Sequence, residues 1–255
     1  MSEWESELGA KGGLAEIELS RRFEELTANV ISHTVFGSSY KEGKQVFLAQ
    51  RELQFLAFST FLTVQVPGFS YLPTMKNFKT WSLDKKEKLR EEIAMECGDE
   101  MPTGDMLNKL KMVNMFLLET LRLYSPVLLI RRKVGTDIEL GGIKMPEGAL
   151  LMIPIATIHR DKEVWGEDAD EFRPERFENG VTRAAKHPNA LLSFSSGPRS
   201  CIGQNFAMIE AKAVIAMILQ RFSFTLSPKY VHAPTDVITL RPKYGLPMIL
   251  KSLKL

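Results

Sequence analysis

The chain has 255 residues, 44% of them hydrophobic and 25% charged, the proportions of a globular protein with one large domain or two small ones. With 17 Gly and 13 Pro near average usage, collagen-like and low-complexity classes are excluded, and a net charge of +2 offers no basic field for nucleic acid. Cys97 and Cys201 are the only cysteines, which rules out a disulfide framework or a Cys-rich zinc module and favours an intracellular compartment.

The opening stretch carries Glu3, Glu5, Glu7, Lys11, Glu16, Glu18, Arg21 and Arg22, a pattern expected of neither a signal peptide nor a membrane anchor. From Glu16 to Phe58 the spacing predicts helix, interrupted at Gly37-Ser38-Ser39 and closed by the turns Pro67-Gly68 and Pro73-Thr74. The apolar run from Phe55 to Val66 is shorter than the ~20 residues of a spanning helix. It reads as a buried helix ahead of a segment dipping into a membrane surface. Lys85 to Glu96 predicts a short charged helix, Gly98 to Gly104 a loop, and Leu107 to Leu123 a helix stopped by Ser125-Pro126.

Beyond it, Asp137 to Leu140, Ile143 to Met145 and Ala149 to Ile155 predict short strands joined by Gly141-Gly142 and Pro146-Glu147-Gly148 turns. Asp161 to Pro198 has little periodicity, yet Trp165, Phe172, Phe177 and Phe194 anchor it as an ordered stretch. Gln204 to Arg221 predicts a second strong helix, apolar throughout from Ala213 to Leu219 and therefore central. Strand-like pieces follow at Ser223 to Leu226, Val237 to Leu240 and Met248 to Leu250. No internal repeat is visible. The expected class is mainly α with small β-sheets (α+β).

The segment richest in chemistry is FSSGPRSCIG, Phe194 to Gly203, immediately before the second helix. A lone intracellular cysteine is usually a small buried hydrophobe. Three features of Cys201 point instead to a ligand. It stands ahead of a helix N terminus, whose unpaired N–H groups and dipole favour an anion such as a thiolate. Gly197 and Gly203 permit unusual dihedrals and close approach of backbone to a flat ligand. Arg199 can grip an anionic group through two parallel hydrogen bonds. With no partner base nearby in sequence, a metal suits this sulfur better than acyl transfer. Cys97 sits between Glu96 and Asp99, which disfavour a thiolate there. Glu119 and Arg122, three apart on a predicted helix, read by default as a surface pair. Met115, Phe116 and Leu123 one turn away predict apolar surroundings, where charges must be paired and further hydrogen-bonded.

The pattern F-x-x-G-x-R-x-C-x-G resembles the heme-binding loop of the cytochromes P-450; composition alone would produce it with a probability on the order of 10⁻⁵. By that resemblance Cys201 takes the place of the axial thiolate on heme iron, and Phe194, Gly197, Arg199 and Gly203 complete the cofactor-binding loop. Arg176, in FRPERF (Phe172 to Phe177), matches the third member of the family's Glu-Arg-Arg network with Glu119 and Arg122, which braces the core beneath the heme. Arg132 falls where the family often places an Arg on a heme propionate, and Arg199 matches a second; a solvated strand-edge charge is an equal reading of Arg132. His159-Arg160-Asp161, Trp165-Gly166 and Asp168-Ala169 resemble the stretch preceding Arg176. Leu26 to Ile31, Phe36 to Gly43, Tyr71 to Thr74, Gln204 to Met208, Ile218 to Ser223, Ala233-Pro234 and Ile238 to Leu240 are similar to the plant group that includes secologanin synthase.

The resemblance implies an incomplete P-450 fold, with 1–84 resembling the family's middle helices and 85–255 the heme-binding part carrying the network and the Cys loop. It implies heme b, electrons from NADPH through NADPH–cytochrome P-450 reductase, a membrane surface of the endoplasmic reticulum, and no nucleic acid. The implied activity is a monooxygenase inserting one oxygen atom of dioxygen into a hydrophobic, terpenoid-like plant metabolite. Val127, Leu128, Leu129 and Ile130, with Tyr244, Gly245 and Leu246, are the implied substrate contacts, and both segments also read as plain strand and turn. Family members are about twice this length. The anchor and early helices are expected to be absent, leaving a cytoplasmic or peripheral chain. A second gap is expected near Leu83 to Arg90, removing the distal helix with its acid–Thr pair, so no catalytic residue is assigned. The alternative is an inactive truncated remnant that binds heme weakly or only interacts with partners. A hydrolase is the weakest reading, since G-x-S-x-G, P-loop and G-x-G-x-x-G patterns are absent from the sequence.

Overall fold

The computed structural model describes residues 2–37, 83–237 and 239–253. The expected helix at Phe55 to Val66 and the turns at Pro67-Gly68 and Pro73-Thr74 lie outside the described residues. Among the described residues are eight α-helices and four small antiparallel sheets, the mainly helical α+β class expected. None of these helices is long and apolar enough to cross a membrane. The chain divides into two compact units, one holding 114–205 and the other the described residues on either side of it.

The flanking unit is organised around a three-stranded sheet in the order β1 (Leu14–Glu18), β9 (Pro247–Ser252), β6 (Phe222–Leu226). Helical spacing was expected from Glu16 onward, but Leu14–Glu18 is a strand, and the helix α2 begins only at Leu19 (Leu19–Phe36). Its residues alternate, with Ala15 and Ile17 buried, because β9 supplies a partner 230 positions along: Leu14 faces Lys251 and Ile17 faces Met248. Trp4 and Leu8 of α1 (Ser2–Ala10), Ile218, Phe222, Met248 and Leu250 close the core over this sheet. Glu18 ends the strand and caps α2, its carboxylate accepting from the Ser20 and Arg21 amides and from the amide of Leu246 at 2.6 Å. That last bond fixes the Tyr244–Gly245–Leu246 turn. Gly245 has φ 78°, the left-handed region that favours glycine, and a Cβ there would also lie 2.7 Å from the same carboxylate.

Helix α3 (Leu83–Cys97) is longer by about a turn than the charge pattern implies. Its Arg90 donates to the Leu219 and Phe222 carbonyls at the end of α8 (Gln204–Arg221), where unpaired carbonyls and the helix dipole favour a cation. The predicted helix 107–123 is two helices, α4 (Gly104–Lys109) and α5 (Lys111–Leu123), broken at Leu110 with ψ 79°. Two caps explain the break. Thr103 caps α4, and Glu92 of α3 accepts from the Met112 and Val113 amides at 2.7 and 3.0 Å, satisfying the first turn of α5. Helix α8 matches its expected bounds, but its environment is mixed: Ala216, Ile218 and Leu219 are buried while Phe206 and Ile209 are exposed. The single strand expected at 237–240 is a hairpin, β7 (Pro234–Val237) paired with β8 (Thr239–Pro242).

The second unit holds most of α5, the two-stranded sheet of β2 (Ile130–Lys133) and β5 (Leu150–Ile153), and the hairpin of β3 (Ile138–Leu140) and β4 (Ile143–Met145). Gly141 and Gly142, at φ 56° and 80°, make the hairpin turn with both central residues left-handed, as a tight two-residue loop demands. Short helices α6 (Ile155–Ile158) and α7 (Lys162–Trp165) and three 3₁₀ turns order the aperiodic stretch. Trp165 and Phe177 anchor it as expected, buried with their rings tilted against each other at 6.2 Å.

Replacing Glu92 by Ala removes the cap of α5 and should lower stability by about 1–2 kcal/mol. Urea unfolding measures it, and Glu92→Gln, which keeps one acceptor, should fall between. A parental midpoint for Glu92→Ala would mean that water replaces the cap.

Candidate functional site

Glu119 and Arg122 of α5 sit completely inside the unit, with side chains 0% exposed. They meet as a two-pronged pair, Arg122 Nε to Glu119 Oε2 at 2.7 Å and Nη2 to Oε1 at 2.8 Å. A buried ion pair survives only if the remaining lone pairs and protons are also satisfied. Here they are. Arg122 Nη1 donates to the His159 and Ala169 carbonyls, both at 2.6 Å, and Nη2 also donates to the Glu171 carbonyl at 3.0 Å. Every N–H of the guanidinium is thereby used. Its plane also lies over the Trp165 ring, 5.1 Å from the centroid. Glu119 Oε1 accepts a further bond from the Arg173 amide at 2.8 Å.

Arg176 completes the cluster. It lies in the 3₁₀ turn Pro174–Phe177, its Nε 3.7 Å from Glu119 Oε1 and without a hydrogen bond. Its Nη1 donates to the Trp165 carbonyl at 2.8 Å and to Asp168 Oδ1 at 3.2 Å, and its Nη2 donates to the Asp168 carbonyl. Burial alone would raise the Asp168 carboxyl, but Arg176 and then Arg173, which also donates to it, hold it below the usual carboxylate value.

Two residues without a sequence-assigned role connect this cluster to the Cys loop. The buried His159 ring meets the Arg122 carbonyl at Nδ1 (2.9 Å) and accepts the Leu192 amide at Nε2 (2.8 Å). Burial pushes this imidazole down to about 4, with the Arg122 and Arg160 charges adding to the effect. Ser193 Oγ donates to the Leu121 carbonyl of α5 at 2.9 Å. The available signal was a histidine set among Ile155, Ile158 and Trp165, an apolar setting that asks for partners.

The loop itself is closed by its own backbone. Ser195 N donates to Leu192 O at 2.8 Å, Ser200 N to Gly197 O at 3.0 Å, and Cys201 N to Phe194 O at 2.8 Å. Ser195 is the single non-glycine with positive φ among the described residues (63°), a conformation costing on the order of 1 kcal/mol. Arg132 of β2 holds its hydroxyl at 3.3 Å. Gly197 also takes positive φ (75°), whereas Gly203 does not; a Cβ there would stand 3.9 Å from Cys201 Sγ.

The two thiols differ sharply. Cys97 is buried, and burial first, then Glu96 and Glu92, pushes it up, away from thiolate. Cys201 is exposed, with Ile202 beside it entirely open to solvent. Among the described residues neither Arg132 nor Arg199 has a carboxylate partner, and no three His, Cys, Asp or Glu side chains gather around a bare metal ion. A metal at Cys201 must therefore bring its other ligands with it. One soft donor, an apolar neighbour and two guanidiniums without carboxylate partners suit a flat apolar macrocycle bearing carboxylates. Phe194 is half-buried at the start of the loop, Val127, Leu128 and Leu129 are half-buried between α5 and β2, and Ile130 is half-buried at the start of β2. Tyr244 is exposed, Gly245 and Leu246 half-buried, all three in the other unit on the turn that Glu18 holds.

Comparison with known proteins gives the family. The family model for cytochrome P-450 matches residues 82–247. Cytochrome P-450 709B3 of Arabidopsis thaliana is 38% identical over 98% of this chain and 64% of its own length. Cytochrome P-450 CYP72A219 of Panax ginseng is 36% identical over 99% of this chain and 65% of its own. The chain thus spans less than two thirds of these relatives. The alignment with the Arabidopsis protein runs over 333 positions against a chain of 255 residues, so at least 78 positions of that relative have no counterpart here.

Two predictions follow from the buried cluster. Glu119→Ala leaves a buried guanidinium unpaired and should cost roughly 3–5 kcal/mol, giving insoluble or unfolded protein. A soluble variant unfolding cooperatively near the parental midpoint would contradict the pairing. Because the folded His159 value of about 4 lies below its ordinary 6.5, the unfolded chain binds the extra proton first. Its contribution is complete above the ordinary value, falls as pH drops toward the folded one, and amounts to about 3 kcal/mol. Urea midpoints across that window should decline, and His159→Gln should flatten the decline relative to the parent.

Proposed function

Because this chain belongs to the cytochrome P-450 family, we propose that it is the thiolate-bearing part of a heme monooxygenase acting on a hydrophobic small molecule. The observation carrying this reading is the exposed Cys201 on a self-bonded loop that also bears Arg199 and is bonded by Arg132 at Ser195, two guanidiniums that lack carboxylate partners among the described residues. In this assignment Cys201 holds the iron of heme b, Arg132 and Arg199 take its propionates, and Phe194, Gly197 and Gly203 shape the loop beneath it. When bound, that group supplies dioxygen activation, with electrons from NADPH through NADPH–cytochrome P-450 reductase.

The chain's own residues then do positioning. Glu119, Arg122 and Arg176 fix the aperiodic backbone around Trp165 and Asp168. The half-buried Val127 to Ile130 and the Tyr244 to Leu246 turn are assigned to substrate contact, and a terpenoid-like plant metabolite is the class we assign, given plant relatives in the 709B and 72A groups. We place the whole enzyme at the endoplasmic reticulum membrane.

A second reading is favoured by the unmatched positions of the alignment: alone, this polypeptide binds heme weakly and turns over no substrate. Oxygen activation requires a shielded site with controlled proton entry, and we assign the unmatched segment, near 83–90, to the helix that provides it. The polypeptide supplied with heme, NADPH and reductase should therefore form peroxide and little product. Cys201-dependent product formation in step with NADPH use would reject this second reading.

The ligand assignment is tested by the ferrous carbon-monoxide spectrum. Cys201→Ser should abolish the thiolate-type Soret band and Cys97→Ser should keep it. The opposite pattern would reject Cys201 as the ligand.

A further inference from the structure

We propose that His159 is a positioning residue for the Cys201 loop: a neutral imidazole tying the backbone of α5 to the backbone where the loop begins. The ring lies between two main-chain groups of opposite kind, the Arg122 carbonyl at 2.9 Å and the Leu192 amide at 2.8 Å. An amide can only donate, so Nε2 must be the unprotonated acceptor. Nδ1 therefore carries the hydrogen and donates to the Arg122 carbonyl. No other protonation state makes both bonds: the imidazolium has no acceptor, and the other tautomer reverses both roles.

The consequence runs in both directions along the chain. On one side, Arg122 is fixed by the Glu119 fork and by the carbonyls of His159 itself, Ala169 and Glu171. On the other, the Leu192 carbonyl takes the Ser195 amide, and Ser195 in turn is held by Arg132. Ser193 adds one more bond to α5. The His159 side chain is fully buried, so water does not readily replace its two bonds.

Burial and the charges of Arg122 and Arg160 oppose a second proton on the ring, and the bond to the Arg122 carbonyl works the other way. Arg122 and its partner Glu119 come from α5, Arg160 from the same turn, and the Trp165 ring from α7, edge-on at 6.1 Å. A proton on Nε2 would remove the acceptor for the Leu192 amide and so release this tie. The inference rests on the proposed ligand role of Cys201 only for its consequence at the iron; the tie itself is measurable in the full chain with nothing added.

Hydrogen exchange read by mass spectrometry is the test. His159→Phe keeps the ring's bulk and removes both bonds. Peptides covering 190–203 should exchange roughly tenfold faster or more, while those from 214–253 keep parental rates. His159→Gln, whose side-chain oxygen can accept the Leu192 amide, should recover part of the protection. Unchanged exchange over 190–203 in the Phe variant would overturn the proposal. Should that variant not fold, nitrogen NMR of the parent decides: the expected ring is neutral with its proton on Nδ1 down to about pH 5. A proton on Nε2, or titration near the ordinary 6.5, would overturn it. In the heme-loaded chain, the Phe variant should lose part of the thiolate-type carbon-monoxide band and the Gln variant should keep it. A chain that binds no heme at all would count against the cofactor assignment and leave the exchange result standing.

Discussion

Two opposite charges inside a protein cost more in lost hydration than their attraction returns, unless every remaining donor and acceptor is met. The Glu119–Arg122 pair meets that condition with main-chain groups, and this is what organises the unit around it. The carbonyls of His159, Ala169 and Glu171 and the amide of Arg173 must all stand within hydrogen-bond reach of one helix face. Those residues belong to a stretch with almost no regular structure of its own. The guanidinium therefore acts as a template, replacing the ladder that a strand or helix would have provided. Trp165 serves twice, giving its ring to Arg122 and its carbonyl to Arg176.

From this cluster the order spreads outward to the thiol through bonds that become progressively more exposed. His159 is buried, Leu192 and Ser193 are half-buried, and Arg199, Ser200 and Cys201 are exposed. A rigid interior thus presents a sulfur at the surface, with the positive φ of Ser195 as the strain accepted to turn the chain there. Cys97 has the reverse arrangement, its sulfur within the protein and two glutamates near it, so the same residue type is inert in one place and available in the other.

Local sequence carried the parts of this that depend on local spacing. The i,i+3 pair with apolar neighbours, the bounds of α8 and the Gly141-Gly142 turn were legible because each needs only a few adjacent residues. The loop pattern was legible because Gly197, Arg199 and Cys201 stand within five consecutive residues. What escaped was decided by distant partners. Leu14–Glu18 is a strand because of β9, and α4 and α5 separate because Glu92 reaches across from α3. His159 carried no periodic signature at all. Its role exists only once Arg122 and Leu192 are brought to its two nitrogens.

The open setting of the loop bears on how a cofactor would be held. Ile202 is fully exposed beside Cys201, and burying such a side chain returns about 1.5–3 kcal/mol. A flat apolar group seated on the sulfur would gain from covering such a neighbour and from two guanidiniums without carboxylate partners among the described residues, while the loop would give up little entropy because its backbone is already closed by its own hydrogen bonds. The loop backbone is bonded to itself, so a group binding there would add stability by mass action to a loop already closed. A loop built the other way, loose until occupied, would show its backbone amides without partners. Here the amides of Ser195, Ser200 and Cys201 all have them.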